Sequence, residues 1–276
     1  MDDFLIEGDK DAFEILEEAK PIFSILYSTF IKFRLRNLTE KMSKTTEKST
    51  FYKEIGMLNI ECSDILSLDS LPDIHVTDLG QKNAFTTEIN SKPVIIIDSS
   101  LINYLSEDEM RSLIGHEMGH IKCHHLLYHS IAELLEQGLE FSTSLMGFRL
   151  LSIPLRLALK AWHRESEFSA DRASLIVTDN LNSIASMFTK IVENLNTIQF
   201  KTNLDSFLEI LNNHPTHLNR LNALKNFSDS TQYLKIKKKL QQRRIFEKAF
   251  INKCRFCGEV KNIEDVICPN CNKSLV

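Results

Sequence analysis

Apolar positions near the start of the chain recur with a helical period. Phe13, Leu16, Ala19 and Phe23 fall on one face, and Ile15, Ile22, Leu26, Phe30 and Phe33 widen it. The spacing predicts a helix over residues 9–38, bent or restarted at Pro21, which brings no N–H to a helix interior. Residues 42–50 (MSKTTEKST) are polar and read as a loop. The period then shortens to two. Residues 73–77 (DIHVT) alternate, 84–89 (AFTTEI) are β-branched and aromatic, and 94–97 (VIII) form the short apolar run of a buried strand. The turn-like Asn90-Ser91-Lys92-Pro93 joins the last two as a hairpin. Ser106, with Glu109 three residues on, is a capping box opening a helix that runs through Leu113, Ile114, Met118 and Ile121 to about Leu134.

Inside that helix lies His116-Glu117-Met118-Gly119-His120. Positions i and i+4 share a helix face, so both imidazoles can reach one metal, and Glu117 is placed to act as base towards a metal-activated water. A catalytic zinc needs a third protein ligand and keeps one position open. Candidates lie in residues 164–172 (RESEFSADR), where Glu167 and Asp171 are four apart, so that one can ligate and the other orient a ligand. Spacing alone leaves the choice between Glu165 and Glu167 open.

Four stretches in order, NAFTTEI, PVIIIDSSLINYLSEDEMRSLIGHEMGHI, ESEFSADRAS and HPTHLNRLNAL, resemble the HtpX / CAAX prenyl protease family of gluzincin metallopeptidases, over about Pro72 to Leu224. The resemblance implies that Glu167 is the third ligand and Asp171 the residue behind it. It implies that Asn83, Ala84 and Phe85 lie on a strand edging the cleft, where an extended substrate could add as a further strand. It also implies that His214, of His214-Pro215 with Arg220 following, approaches the zinc, either stabilising an oxyanion or holding the enzyme latent. His124, His125, His129 and His217 read as structural or surface residues.

Near the C-terminus, Cys254-Arg-Phe-Cys257 and Cys268-Pro-Asn-Cys271 are ten residues apart. Two such pairs read as a four-thiolate structural zinc site resembling a zinc ribbon, whose metal supplies the folding energy that so small a core cannot. A redox dithiol would need only one pair. The preceding KIKKKLQQRR is a basic helix. With few aromatics for base stacking, a protein partner for the ribbon is favoured over nucleic acid.

Composition narrows the picture. A net charge of -4 gives no whole-molecule attraction to nucleic acid or membrane, and only 8 glycines favour helices over a turn-rich β fold. The run at 22–31 is too short to cross a bilayer, and that at 145–161 carries Arg149, Pro154 and Arg156, so membrane contact is expected to be peripheral at most. Unlike the usual members of the family it resembles, the sequence shows no clear spanning helix. Asp2 and Asp3 do not open a secretory signal, which points to the cytoplasm and reduced cysteines. The expected fold is α+β, zincin-like: mostly helical with a small antiparallel sheet, plus the ribbon. The expected organisation is a helical region at 1–70, a zinc metallopeptidase domain at 71–228, a basic linker helix at 229–252 and the ribbon at 253–276. The expected function is zinc-dependent hydrolysis of proteins or peptides, with one catalytic and one structural zinc. The rival is an adaptor acting through the basic helix and ribbon, its HExxH site latent.

Overall fold

The structure, a computed structural model, describes residues 4–28, 50–80, 83–90, 92–136, 153–195, 217–251, and 254, 256–257, 259, 267–268 and 270–273. The chain divides into two compact units, residues 1–230 and 231–276.

The N-terminal periodicity becomes two helices. α1 spans Glu7–Glu18 and α2 spans Lys20–Leu26, with Pro21 in the first turn of α2, where its missing N–H costs nothing. Leu16, Phe23 and Leu26 are buried, but Ile15 and Ile22 face outward. The apolar stripe is therefore narrower than the sequence suggests. The rest of that predicted helix, 29–38, lies outside the described residues, as do 42–49 of the polar stretch. α3 spans Thr50–Leu66, and buries Leu58, Cys62 and Ile65 at helical spacing. Burial pushes the Cys62 thiol up to about 12, so it stays an inert apolar group.

Three strands form one sheet in the order β1-β3-β2: β1 Asp73–Thr77, β2 Ala84–Ile89, β3 Lys92–Asp98. The expected hairpin is present, with Ile89 opposite Lys92 and Asn90 at φ 51, a left-handed conformation that Asn tolerates. The sheet is mixed, however, not antiparallel throughout: β1 runs parallel to β3. The physical reason is the reversal between Thr77 and Ala84. It leaves a gap one strand wide, which β3, the most apolar strand, fills. Asp98 at the end of β3 fastens that reversal, its Oδ2 accepting from Leu79 N at 2.7 Å and its N–H donating to Asn83 O at 2.9 Å.

α4 spans Glu107–Lys122 and carries the predicted capping box. It does not continue to Leu134. His124, at φ 60, ends it in a Schellman turn, with His125 N–H donating to His120 O and His124 N–H to Ile121 O. α5, Leu126–Glu136, leaves in a new direction. α6 spans Ile153–Thr178 and packs along α4, with α7, Leu181–Leu195, against that pair and α8, His217–Ser228, against α6 and α7. The approach of α4 to α6 is close because Gly119 lies over Ala170 and Ala173; a Cβ there would meet Ala170 Cα at 2.8 Å. Behind α5 and α6, a core of Leu16, Phe23, Tyr128, Ile131, Leu159 and Trp162 ties α1 and α2 to them. Among the described residues no helix is long and apolar enough to cross a membrane.

The second unit contains α9, Thr231–Ile251, and the cysteine pairs.

Candidate metal centre

α4 puts His116 and His120 on one buried face, their rings edge to face at 4.9 Å. α6 puts Glu167 and Asp171 on the face opposite. His116 Nε2 lies 3.6 Å from Glu167 Oε2, and His120 Nε2 lies 3.5 Å from Glu167 Oε1. Two atoms on a tetrahedral zinc with bonds of 2.0–2.1 Å lie about 3.4 Å apart, so these separations fit a zinc ion between them. His120 Nε2 is buried and makes no well-formed hydrogen bond, as expected of an atom kept for a metal.

The other ring nitrogens are taken. His116 Nδ1 is 3.0 Å from Asp171 Oδ1. Arg220 of α8 clamps Asp171 from behind, with Nε to Oδ2 at 2.7 Å and Nη2 to Oδ1 at 2.6 Å, and reaches Glu167 Oε2 with Nη1 at 2.9 Å. His120 Nδ1 is 3.1 Å from His125 Nδ1, and His125 Nε2 is 3.1 Å from Asp9 Oδ2 on α1. Each candidate ligand is thus turned towards the same point by a partner of its own.

The electrostatics of Glu167 and His120 agree with ligation. Burial opposes ionisation of Glu167, but the Arg220 charge and the adjoining His120 and His129 imidazoles outweigh it and hold the carboxyl well below its usual range. Burial drives His120 well below the ordinary histidine range, into the neutral form that binds metals. His116 moves the other way: burial lowers it, yet the Asp171 hydrogen bond and the Glu167 charge raise it overall. Glu117, next to His116, accepts from Thr86 Oγ1 of β2 at 2.5 Å, and burial pushes its pKa up.

The remaining sites separate. Asn83 Oδ1 accepts from Ala84 N at 2.9 Å; Ala84 and Phe85, on the edge strand β2 beside α4, pair with Ile97 and Ile96 of β3. His214 lies outside the described residues. Sequence reasoning missed two residues. His129, read as structural or surface, is buried with Nε2 3.4 Å from Glu167 Oε1. His163 is buried beside it, the two ring centroids 4.7 Å apart. The available signal was spacing: His163 lies four residues before Glu167 on α6, and His129 four after His125.

In the second unit, Cys254, Cys257, Cys268 and Cys271 gather their sulfurs within 4.8 Å of one another. Cys254 and Cys271 sulfurs are 3.7 Å apart, and Cys257 and Cys268 sulfurs 3.6 Å. Zn–S bonds near 2.3 Å predict about 3.8 Å between thiolates, so the set fits a tetrahedral zinc. Each knuckle closes on itself, Cys254 N to Glu259 O and Cys268 N to Lys273 O.

Against known proteins, the model described as Peptidase family M48 matches residues 63–228. The chain is 32% identical over 155 residues to the plastoglobule-localized metallopeptidase 48, chloroplastic, of Arabidopsis thaliana, a match covering 56% of this chain and 44% of that one. It is 24% identical over 201 residues to a protease HtpX homolog of Burkholderia thailandensis, covering 65% and 68%. Among solved structures it is similar to S. mikatae Ste24p, with TM-score 0.41 and 20% identity over 78% of this chain and 63% of that one.

Proposed function

Because the chain belongs to peptidase family M48, we propose that it is a zinc-dependent endopeptidase that hydrolyses internal peptide bonds of proteins or peptides. One observation carries the reading. His116, His120 and Glu167 converge within zinc-ligating distance, with the carboxylate of Glu117 in the adjacent helical position. Zinc in this set supplies a Lewis acid that lowers the pKa of a water and polarises a carbonyl.

The chain's own residues do the rest. Glu117 takes the proton of the attacking water, holds it on a carboxylate that Thr86 keeps in place, and returns it to the leaving amine. Asp171 fixes His116, and Arg220 fixes Asp171 and Glu167, so the ligand set stays ordered through turnover. The edge of β2 near Asn83, Ala84 and Phe85 is the proposed docking edge for an extended substrate. His214 belongs to the proposal as a residue acting on the same centre. The four ribbon cysteines are proposed to hold a second, structural zinc, with a protein as the ribbon's partner.

The test is digestion of a mixed peptide library by zinc-loaded protein, read by mass spectrometry. Wild type should cleave, and Glu117→Gln should lose about 100- to 10,000-fold in rate. Equal cleavage by both proteins would overturn the mechanism.

A further inference from the structure

The imidazoles around Glu167 outnumber what one zinc uses. From His116 the rings pass to His120, then to His129 at 4.2 Å between centroids, and on to His163 at 4.7 Å. α6 repeats on its own surface the device that α4 uses. His163 and Glu167 are four residues apart and share a face, as His116 and His120 do. α5 supplies the third group, because the Schellman turn at His124 aims it back at α6 and brings His129 to Glu167. One ligand atom from each of His129, His163 and Glu167 lies within 4.8 Å of the other two, and all three residues are buried.

We propose that His129, His163 and Glu167 bind a second divalent ion, so that the Glu167 carboxylate bridges a two-metal centre. The inference rests on the zinc reading of His116, His120 and Glu167, because it gives Glu167 a second metal to serve. Two imidazoles and a carboxylate select a first-row transition ion such as zinc over calcium or magnesium, which prefer oxygen ligands. Glu167 is suited to bridging, since Oε2 faces His116 and Oε1 faces both His120 and His129. Arg220 Nη1 bonds Oε2, which leaves Oε1 as the atom offered towards His129.

The Glu117, Glu167 and Asp171 carboxylates are buried together with Arg220 at this cluster. Carboxylate-bridged pairs about 3.5–4 Å apart recur in hydrolases, where the two ions share the attacking and leaving oxygens.

The experiment uses full-length protein loaded with zinc and freed of excess by gel filtration. Zinc per chain is counted by elemental mass spectrometry, and ion positions are read from anomalous difference maps at the zinc edge. The expected result is three ions, one in the cysteine cluster and two flanking Glu167, with His163→Gln reducing the count by one and removing only the peak beside His129. Two ions, with a single peak at His116, His120 and Glu167, would overturn this inference and leave the endopeptidase reading intact. A single ion in the cysteine cluster would overturn both. Three ions in His163→Gln would exclude His163 as a ligand and sink the proposal even if wild type also held three. The wild-type count and map decide the matter should the variant fail to fold.

Discussion

Glu167 is the residue on which the site turns, since His116, His120, His129 and Arg220 all lie within 3.6 Å of its two oxygens. Its neighbour Asp171 never faces the proposed metal but sets the tautomer of His116 and anchors Arg220. Asp171→Asn keeps the shape and removes the charge, so Arg220 loses half its compensation and His116 its fixed acceptor. Zinc affinity, read by competition with a chromophoric chelator, should fall by about 10- to 100-fold, while far-ultraviolet circular dichroism stays unchanged. Unchanged affinity would mean that Asp171 only balances Arg220. The HExxH residues were legible from five positions because i, i+4 spacing implies a shared face. His129 was not, because its direction depends on a left-handed turn at His124, and neither local propensity nor the apolar period announces a histidine in that conformation.

At the scale of elements, the distance between α4 and α6 decides whether two ligand sets meet. Gly119→Ala places a methyl against Ala170 Cα and Ala173 Cβ, contacts of 2.8 and 2.9 Å that only a helix shift can relieve. Such overpacking should destabilise by about 1–3 kcal/mol in denaturant unfolding, and should weaken zinc binding as well, since Glu167 moves off with α6. Stability lost without any change in zinc affinity would show that the ligand geometry tolerates the shift. The start of α4 offers a test in pH. Burial opposes ionisation of Glu109, but hydrogen bonds from Lys190, Ser186 and the Ser106 N–H outweigh it and hold its pKa at about 2. A carboxyl depressed in the folded state adds stability above the ordinary carboxylate range and loses it as pH falls through the depressed value. Glu109→Ala should therefore cost about 1–2 kcal/mol near neutrality, and the gap to wild type should close between about pH 4.5 and pH 2. A gap independent of pH would assign the loss to packing. The capping box was readable because both partners lie three residues apart in sequence. The direction of β1 was not, because strand composition fixes which residues are buried and leaves pairing partners to the loop that joins them.

For the whole molecule, the N-terminal helices show what a single sequence hides. Periodicity gave α1 an apolar face but no partner. That face closes on α5 and α6, carrying Asp9 to His125 across more than a hundred residues, so the first helices brace the metal centre as well as the core. Only a contact with so large a sequence separation joins them, and no local pattern encodes it. The cysteine module is the opposite case, fully spelled out by spacing, because a zinc site dictates its ligands and little else. The two units accordingly depend on different sources of stability. Residues 1–230 bury a core of aliphatic and aromatic side chains, whereas the cysteine module, on the proposed zinc reading, draws on its metal, worth about 10–16 kcal/mol in isolated zinc-finger peptides. Cys268→Ser removes a buried ligand and leaves three. One zinc per chain should be lost, and the fold around the remaining cysteines with it, while residues 1–230 keep their melting temperature in scanning calorimetry to within about 2 °C. A larger fall would show that the ribbon stabilises the peptidase unit itself, and an unchanged zinc count would show that three thiolates suffice to hold the ion.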